Sequence, residues 1–349
     1  MSDDYLFDGT GTPDPDVARL EQMLGRLRTT TSAPLIAAND EPRTTNDQRP
    51  MTTLGVRFLA PALAAAAAIV LMVGSIWQIT TPTSTNATAG KPSWAVSVLV
   101  GTPRIGADVL VGEGRIAAGQ TLTTGAGSRA RMEVSDIGEV TVDEGTRLRL
   151  IETREGHHRL ALERGTLHAA ITAPAGEFVV STPSATATDL GCVYSLHVND
   201  DGSGLLSVEA GWVAFEERGR ESFVPAGASS RTDRVNGPGT PRYDDTGQAF
   251  RDAIDDVDNG RDAAHKGASL RYVLEYARGR DAMTLWHLIQ RVEGRDRVAV
   301  IDALEARIPM PPAVTRDAVV RLDRAALDQW WDTLGLNEAS WWRKWKRPA

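Results

Sequence analysis

The chain has almost no cysteine. Its single thiol, Cys192, leaves no second partner for an intramolecular disulfide and supports no cysteine-based zinc cluster. Packing and hydrogen bonds must therefore hold its domains. An excess of basic charge is also missing: 38 Lys and Arg against 46 Asp and Glu give a net charge of −8, which argues against a general nucleic-acid binder. No His-Glu-x-x-His run occurs, and the six histidines lack metal-ligand spacing. Long apolar runs are absent but for one, Phe58 to Ile79.

That run is twenty-two residues without a charge. As a helix it would be about 33 Å long, close to the ~30 Å hydrocarbon thickness of a bilayer. Ala64 to Ala68, Ile69, Val70, Leu71, Met72, Val73 and Ile76 line it, with Arg57 before it and Trp77 near its end as interfacial anchors. The competing readings are a cleaved signal peptide and a buried helix; fifty-seven preceding residues and the length of the core favour a membrane span over residues 57–79. Arg43, Arg49 and Arg57 precede the span, whereas only Lys91 follows it closely. The positive-inside rule then places the N-terminus in the cytoplasm and everything after the span outside it.

Residues 1–28 read as a docking segment rather than a domain. Asp14 can cap a helix with Pro15 at its first position, and Val17, Leu20, Leu24 and Leu27 recur at spacings of three and four. They share one face, the candidate partner-binding surface. So short a helix is marginal alone and should fold against something, either a partner or, in the blander reading, a copy of itself or the membrane. Residues 29–56, rich in Thr, Pro, Asn and charge, form a flexible tether, and residues 80–92 a second linker.

From residue 93 to about 235 the pattern switches to short β-rich pieces punctuated by glycine. These are Trp94 to Val100, Arg129 to Val134, Glu139 to Val142, Arg147 to Ile151, Arg159 to Leu162, Thr166 to Ile171, Glu177 to Ser181, Tyr194 to Val198, Leu205 to Glu209 and Trp212 to Glu216. They predict an all-β domain, too finely divided for a seven-stranded sandwich. An elongated, twisted two-layer or solenoid-like arrangement fits better.

The succession Gly119-Gln120-Thr121-Leu122, Arg129 to Val134, Leu160 to Leu162 through Gly165-Thr166-Leu167, Phe178 to Pro183, Asp189-Leu190-Gly191, and Val208 to Val213, closed by Pro225-Ala226-Gly227, resembles the FecR-type domain. The resemblance covers roughly residues 95–232. It implies a single-span signal transducer of a bacterial inner membrane, anti-sigma in type. The cytoplasmic segment would bind an extracytoplasmic-function sigma factor, and the periplasmic part would sense an envelope protein or polymer. Where that family commonly shows Gly-Thr-x-Phe, this chain has Gly191-Cys192-Val193-Tyr194, with Cys192 expected as a small buried residue.

Residues 236–349 read as a helical domain. Leu270, Val273, Leu274 and Ala277 share a face, as do Leu285, Leu288, Ile289 and Val292, and Val298, Ile301, Leu304 and Ile308. Antiparallel helical pairs, faintly HEAT-like, are expected. Trp330, Trp331, Trp341, Trp342 and Trp345 crowd the end beside Arg343, Lys344, Lys346 and Arg347; they predict either a locked terminal helix or an aromatic contact surface. His157-His158 is expected in an exposed hairpin turn, and Asn199 to Gly204 in a hairpin turn rather than a calcium loop. No motif nominates an enzyme, a metal or a cofactor.

Overall fold

Turns fall so regularly in the β region that the chain is passed back and forth between two sheets. The computed structural model describes residues 92–336. Strand β1 (Ser93–Val100) opens the first sheet; β2 (Arg104–Ile105) and β3 (Asp108–Val109) make a hairpin in the second; β4 (Glu113–Ala117) returns to the first and β5 (Thr121–Thr123) to the second. β6 (Arg129–Val134) and β7 (Gly138–Val142) then pair in the first sheet, and β8 (Arg147–Arg154) joins the second. After the long β9 (His157–Ile171) come β10 (Phe178–Ser181) and β11 (Thr186–Asp189) in the second sheet, and β12 (Val193–Val198) and β13 (Gly204–Ala210) in the first. β14 (Trp212–Glu217) and β15 (Arg220–Pro225) belong to the second, β16 (Ala228–Asp233) to the first, where β17 (Gly237–Pro238) and β18 (Arg242–Tyr243) lie against it.

The first sheet runs β4-β1-β6-β7-β9-β12-β13-β16, and the second β3-β2-β5-β8-β9-β10-β11-β14-β15. All pairs are antiparallel except β9 with β10. Neither sheet closes on itself. The strands thus form two sheets, where the turn spacing left a two-layer and a solenoid-like arrangement open.

β9 belongs to both sheets. Its first half, to Arg164, pairs with β8 and β10; its second half, from Gly165, pairs with β7 and β12. Inward side chains occupy positions 158, 160 and 162 and then 167, 169 and 171, so the parity of the buried face changes at the crossing. Gly165 makes this possible. It has φ +89°, and a Cβ there would lie 2.3 Å from Thr146 Oγ1 and 2.4 Å from Thr146 Cα. The two short strands expected at Arg159 to Leu162 and Thr166 to Ile171 are one strand, read as two because a period-2 pattern cannot pass through a change of parity.

Alternation elsewhere is regular: Ala130, Met132 and Val134 of β6, and Tyr194, Leu196 and Val198 of β12, enter the core between exposed neighbours. β14 and β15 break the rule. Trp212 to Phe215 and Ser222 to Pro225 are buried without alternation, because helices cover the outer face of this hairpin.

Those helices are α1 (Gln248–Asn259), α2 (Ala263–Tyr276), α3 (Ala282–Ile289), α4 (Gly294–Glu305), α5 (Arg316–Val320) and α6 (Arg324–Trp331). Asp262, Thr315 and Asp323 cap α2, α5 and α6 by accepting backbone N–H bonds. Successive helices pack together, α1 on α2 and α3 on α4. Every residue of α3 is buried, the mark of a helix with no solvent face. In α4 the inward face is Val300, Ile301 and Leu304, and Val298, expected to share it, is turned outward. Trp330 and Trp331 are fully buried; Trp331 packs against Trp212, Phe223, Trp286 and His287 with ring centroids 4.8 to 6.4 Å apart. Trp331 thus holds the last described helix to the β14–β15 hairpin, while Trp330 donates through Nε1 to Ile308 O at 3.2 Å.

Among the described residues no helix is long and apolar enough to cross a membrane. The run Phe58 to Ile79 lies outside them.

Candidate functional site

The helical region meets the β layers through a buried polar seam, built on two carboxylates one turn apart on α1. Phe250, Ala253, Ile254 and Val257 bury the apolar face of this helix, and the same packing draws Asp258 inside, its side chain 1% exposed. A buried carboxylate must be paired and hydrogen-bonded. Asp258 accepts from Thr240 N and from Thr240 Oγ1 at 2.9 Å, and from Arg220 Nη2 at 2.8 Å; Arg291 Nη1 stands 3.7 Å away. Arg220 also donates through Nε to Pro238 O at 2.7 Å, and Arg291 through Nη2 to Ser222 Oγ at 2.6 Å. Asp255, three residues earlier, pairs with Arg231 and Arg242 at 3.0 and 3.1 Å.

Desolvation is the largest influence on Arg291, Arg242 and Asp255. Burial pushes Arg291 down to about 9, only partly offset by Asp258. It lowers Arg242 and raises Asp255, each opposed by the attraction between the two. His287 closes the seam on α3: Phe223 N donates to its Nε2 at 3.1 Å, and its Nδ1 donates to Met283 O at 2.8 Å, which fixes the tautomer. A cavity of 580 Å³ opens between the β14–β15 hairpin and α6, lined by Arg218, Arg220, Gln290, Arg291, Arg324 and Leu327 among others. This arrangement ties β15 to α3 and to the residue pair just beyond it, through Phe223 N to His287 and Arg291 to Ser222.

A second buried cluster sits where the chain crosses from β11 to β12. Asp189 Oδ1 accepts from Gly191 N at 2.6 Å, and Oδ2 from Cys192 Sγ at 2.8 Å. Burial pushes the Asp189 carboxyl up to about 6, the hydrogen bonds from Cys192 and Gly191 acting in the opposite sense. The same burial, reinforced by Asp189, raises the Cys192 thiol far above its ordinary value. Cys192 is thus the small buried residue expected, with no reactive thiolate.

The predicted partner-binding residues Val17, Leu20, Leu24 and Leu27, and the membrane anchors Arg57 and Trp77, lie outside the described residues, as do Trp341, Trp342 and Trp345. Asn199 to Gly204 forms the expected β12–β13 turn, closed by Asn199 N to Ser203 O at 2.8 Å and by Ser203 Oγ to Asp201 Oδ1 at 2.6 Å. His158 departs from expectation. The turn ends at Gly156, β9 has already begun, and strand alternation carries His158 inside to 3% exposure. Among the described residues no group of three or more His, Cys, Asp or Glu side chains is placed to hold a metal ion.

Sequence reasoning missed Asp258, Arg291 and His287. His287 had a visible signal, the one ionisable side chain in the uncharged run Ala282 to Ile289; Asp258 followed an apolar helical face in the same way.

The alternating two-sheet segment that contains the β9 crossing is the part that other proteins share. Residues 120–214 match the FecR protein family. The FecR segment therefore runs from the start of β5 into β14 and includes the Asp189 crossover. Two crystal structures of a candidate anti-sigma factor from Parabacteroides distasonis ATCC 8503 are similar to the chain at 18% and 19% identity, with TM-scores of 0.32 and 0.33. Each similarity covers 36% of this chain and 60% of the other. The chain thus spans about three fifths of the length of those structures. No curated protein matches it.

Proposed function

We propose that the chain is a single-pass envelope signalling protein that regulates an extracytoplasmic-function sigma factor. The observation that carries this reading is the FecR match over residues 120–214, on a two-layer β segment that follows the one membrane-length run of the sequence. In this reading Val17, Leu20, Leu24 and Leu27 hold the sigma factor in the cytoplasm, residues 57–79 cross the inner membrane, and the β and helical regions receive a periplasmic cue without catalysing a reaction.

The test is a crosslinked pull-down from native membranes, comparing the full chain with a Leu20→Asp, Leu24→Asp double variant. Two charges on the apolar face remove docking and leave the outer regions intact. Recovery of a sigma factor by the parent and not by the variant supports the proposal. Recovery of envelope proteins alone, unchanged by the variant, replaces it with an envelope scaffold that has no sigma-factor role.

A further inference from the structure

At the end of the β layers where the described chain begins, three turns converge on a cleft of 1,090 Å³: the β6–β7 turn, the β8–β9 turn and the β9–β10 connection. Its floor is a directed hydrogen-bond chain. The Trp94 indole N–H, which can only donate, gives to Thr153 Oγ1 at 2.7 Å, and Thr153 Oγ1 lies 3.0 Å from His158 Nδ1. Thr153 Oγ1 has no other hydrogen-bond partner among the described residues, and we assign its proton to Nδ1. His158 is therefore the neutral tautomer that carries hydrogen on Nε2. Burial, the largest influence on this imidazole, favours the same neutral form.

His158 lines the cleft, is 3% exposed, and makes no hydrogen bond through Nε2 among the described residues; that atom is not sealed from solvent. A buried side chain thus presents one unused N–H donor to the cleft. Around it stand Asp136, Glu155 and Glu177, none in an ion pair among the described residues. Asp136 and Glu177 are close enough to act electrostatically on His158. The lining sets two cations against these three carboxylates: Arg115 is held by the neutral Ser93 at 2.6 and 2.8 Å, and Arg154 pairs at 2.6 Å with Glu152, a carboxylate it shares with Arg159. Charge in the lining is thus negative by one.

We propose that this cleft binds a basic peptide segment of an envelope protein in extended form. A backbone carbonyl accepts from His158 Nε2, and lysine or arginine side chains meet Asp136, Glu155 and Glu177. A glycan is disfavoured because the one aromatic ring of the lining, Trp94, is itself buried and offers no stacking face. The inference deepens the envelope-sensing part of the proposed function and rests on it only for the origin of the peptide. Peptide binding and sigma-factor docking are measured separately, so either can fail alone.

The experiment titrates the full chain in detergent micelles with a fluorescein-labelled octapeptide of alternating lysine and valine. A glutamate-valine octapeptide and chitotetraose serve as competitors. The lysine peptide is expected to bind, and an Asp136→Asn, Glu177→Gln variant to weaken it at least tenfold at low salt, with a shallower dependence on salt concentration. Both carboxylates lie at the surface or half-buried, so the variant keeps its fold, which a melting curve checks. His158→Leu is expected to weaken binding without changing the salt dependence. The proposal is overturned if the parent does not bind the lysine peptide at 1 mM, if the double variant binds it equally well, or if either competitor displaces it at comparable concentration.

Discussion

Asp189 makes the stability of this protein depend on pH in the direction opposite to an ordinary salt-bridged carboxylate. Asp189 is 2% exposed, and among the described residues no cation opposes the burial that raises its carboxyl from 3.8 to about 6. Between those values the folded chain holds a proton that the unfolded chain has released, so stability falls as pH rises through this window. The cost of burying the charged form is absent below 3.8 and complete above about 6. At ~1.36 kcal/mol per unit of pKa, the interval amounts to about 3 kcal/mol.

Asp189→Asn keeps an oxygen for Gly191 N–H and removes the ionisation. The assay is urea unfolding of both chains followed by tryptophan fluorescence at pH values from 4 to 8. The stability of the variant minus that of the parent should rise by about 2.4 kcal/mol from pH 4 to pH 7, with its steepest slope below pH 6. Titrations elsewhere cancel in the difference. A flat difference curve would refute the assignment of a charged, uncompensated Asp189 to the folded state.

Other outcomes follow from the same geometry. Gly165→Ala should cost about 3 kcal/mol or more, because a Cβ at φ +89° collides with Thr146; an early thermal transition checks it. Asp258→Asn should destabilise by about 3 to 5 kcal/mol by leaving Arg291 and Arg220 partly unpaired in the interior, measured by urea unfolding, with Asp258→Glu intermediate. Cys192 should resist aromatic disulfide reagents at pH 8 in the folded chain and react fully in denaturant. His287→Phe should unlock α3 from β15, read as faster amide exchange at Phe223, whose N–H loses its acceptor.

Much of the architecture was legible because it is periodic. β6, β12 and β13 announce themselves by alternation, and the helical face of Leu285, Leu288 and Ile289 by spacing. What escaped has physical reasons. β16, Ala228 to Asp233, is not among the expected strands because it carries no apolar alternation, yet Ser229, Ser230 and Thr232 are buried; the Ser230 hydroxyl is satisfied by Gly239 O at 2.8 Å. β15 carries charge at one end and continuous burial at the other, a pattern made only by the helices above it. The seam joins Asp258 to Arg220 and Arg291, 38 and 33 positions away, and no local pattern encodes such a pairing. His158 was misplaced because two adjacent histidines after a glycine read as a turn, whereas alternation alone decides which of them enters the core.

The double membership of β9 also bears on the order in which the molecule can assemble. Its partners β7 and β8 precede it, but β10 and β12 follow it, so a chain emerging from its N-terminal side presents β9 with one edge bare in each sheet until Val198 has appeared. Until then neither half is an autonomous folding unit, and both bare edges can capture a foreign strand. A cut or insertion within residues 157–171 would undo two sheets at once, whereas the turn at residues 199–203, reached only after this closure, is where the molecule can best accept added sequence.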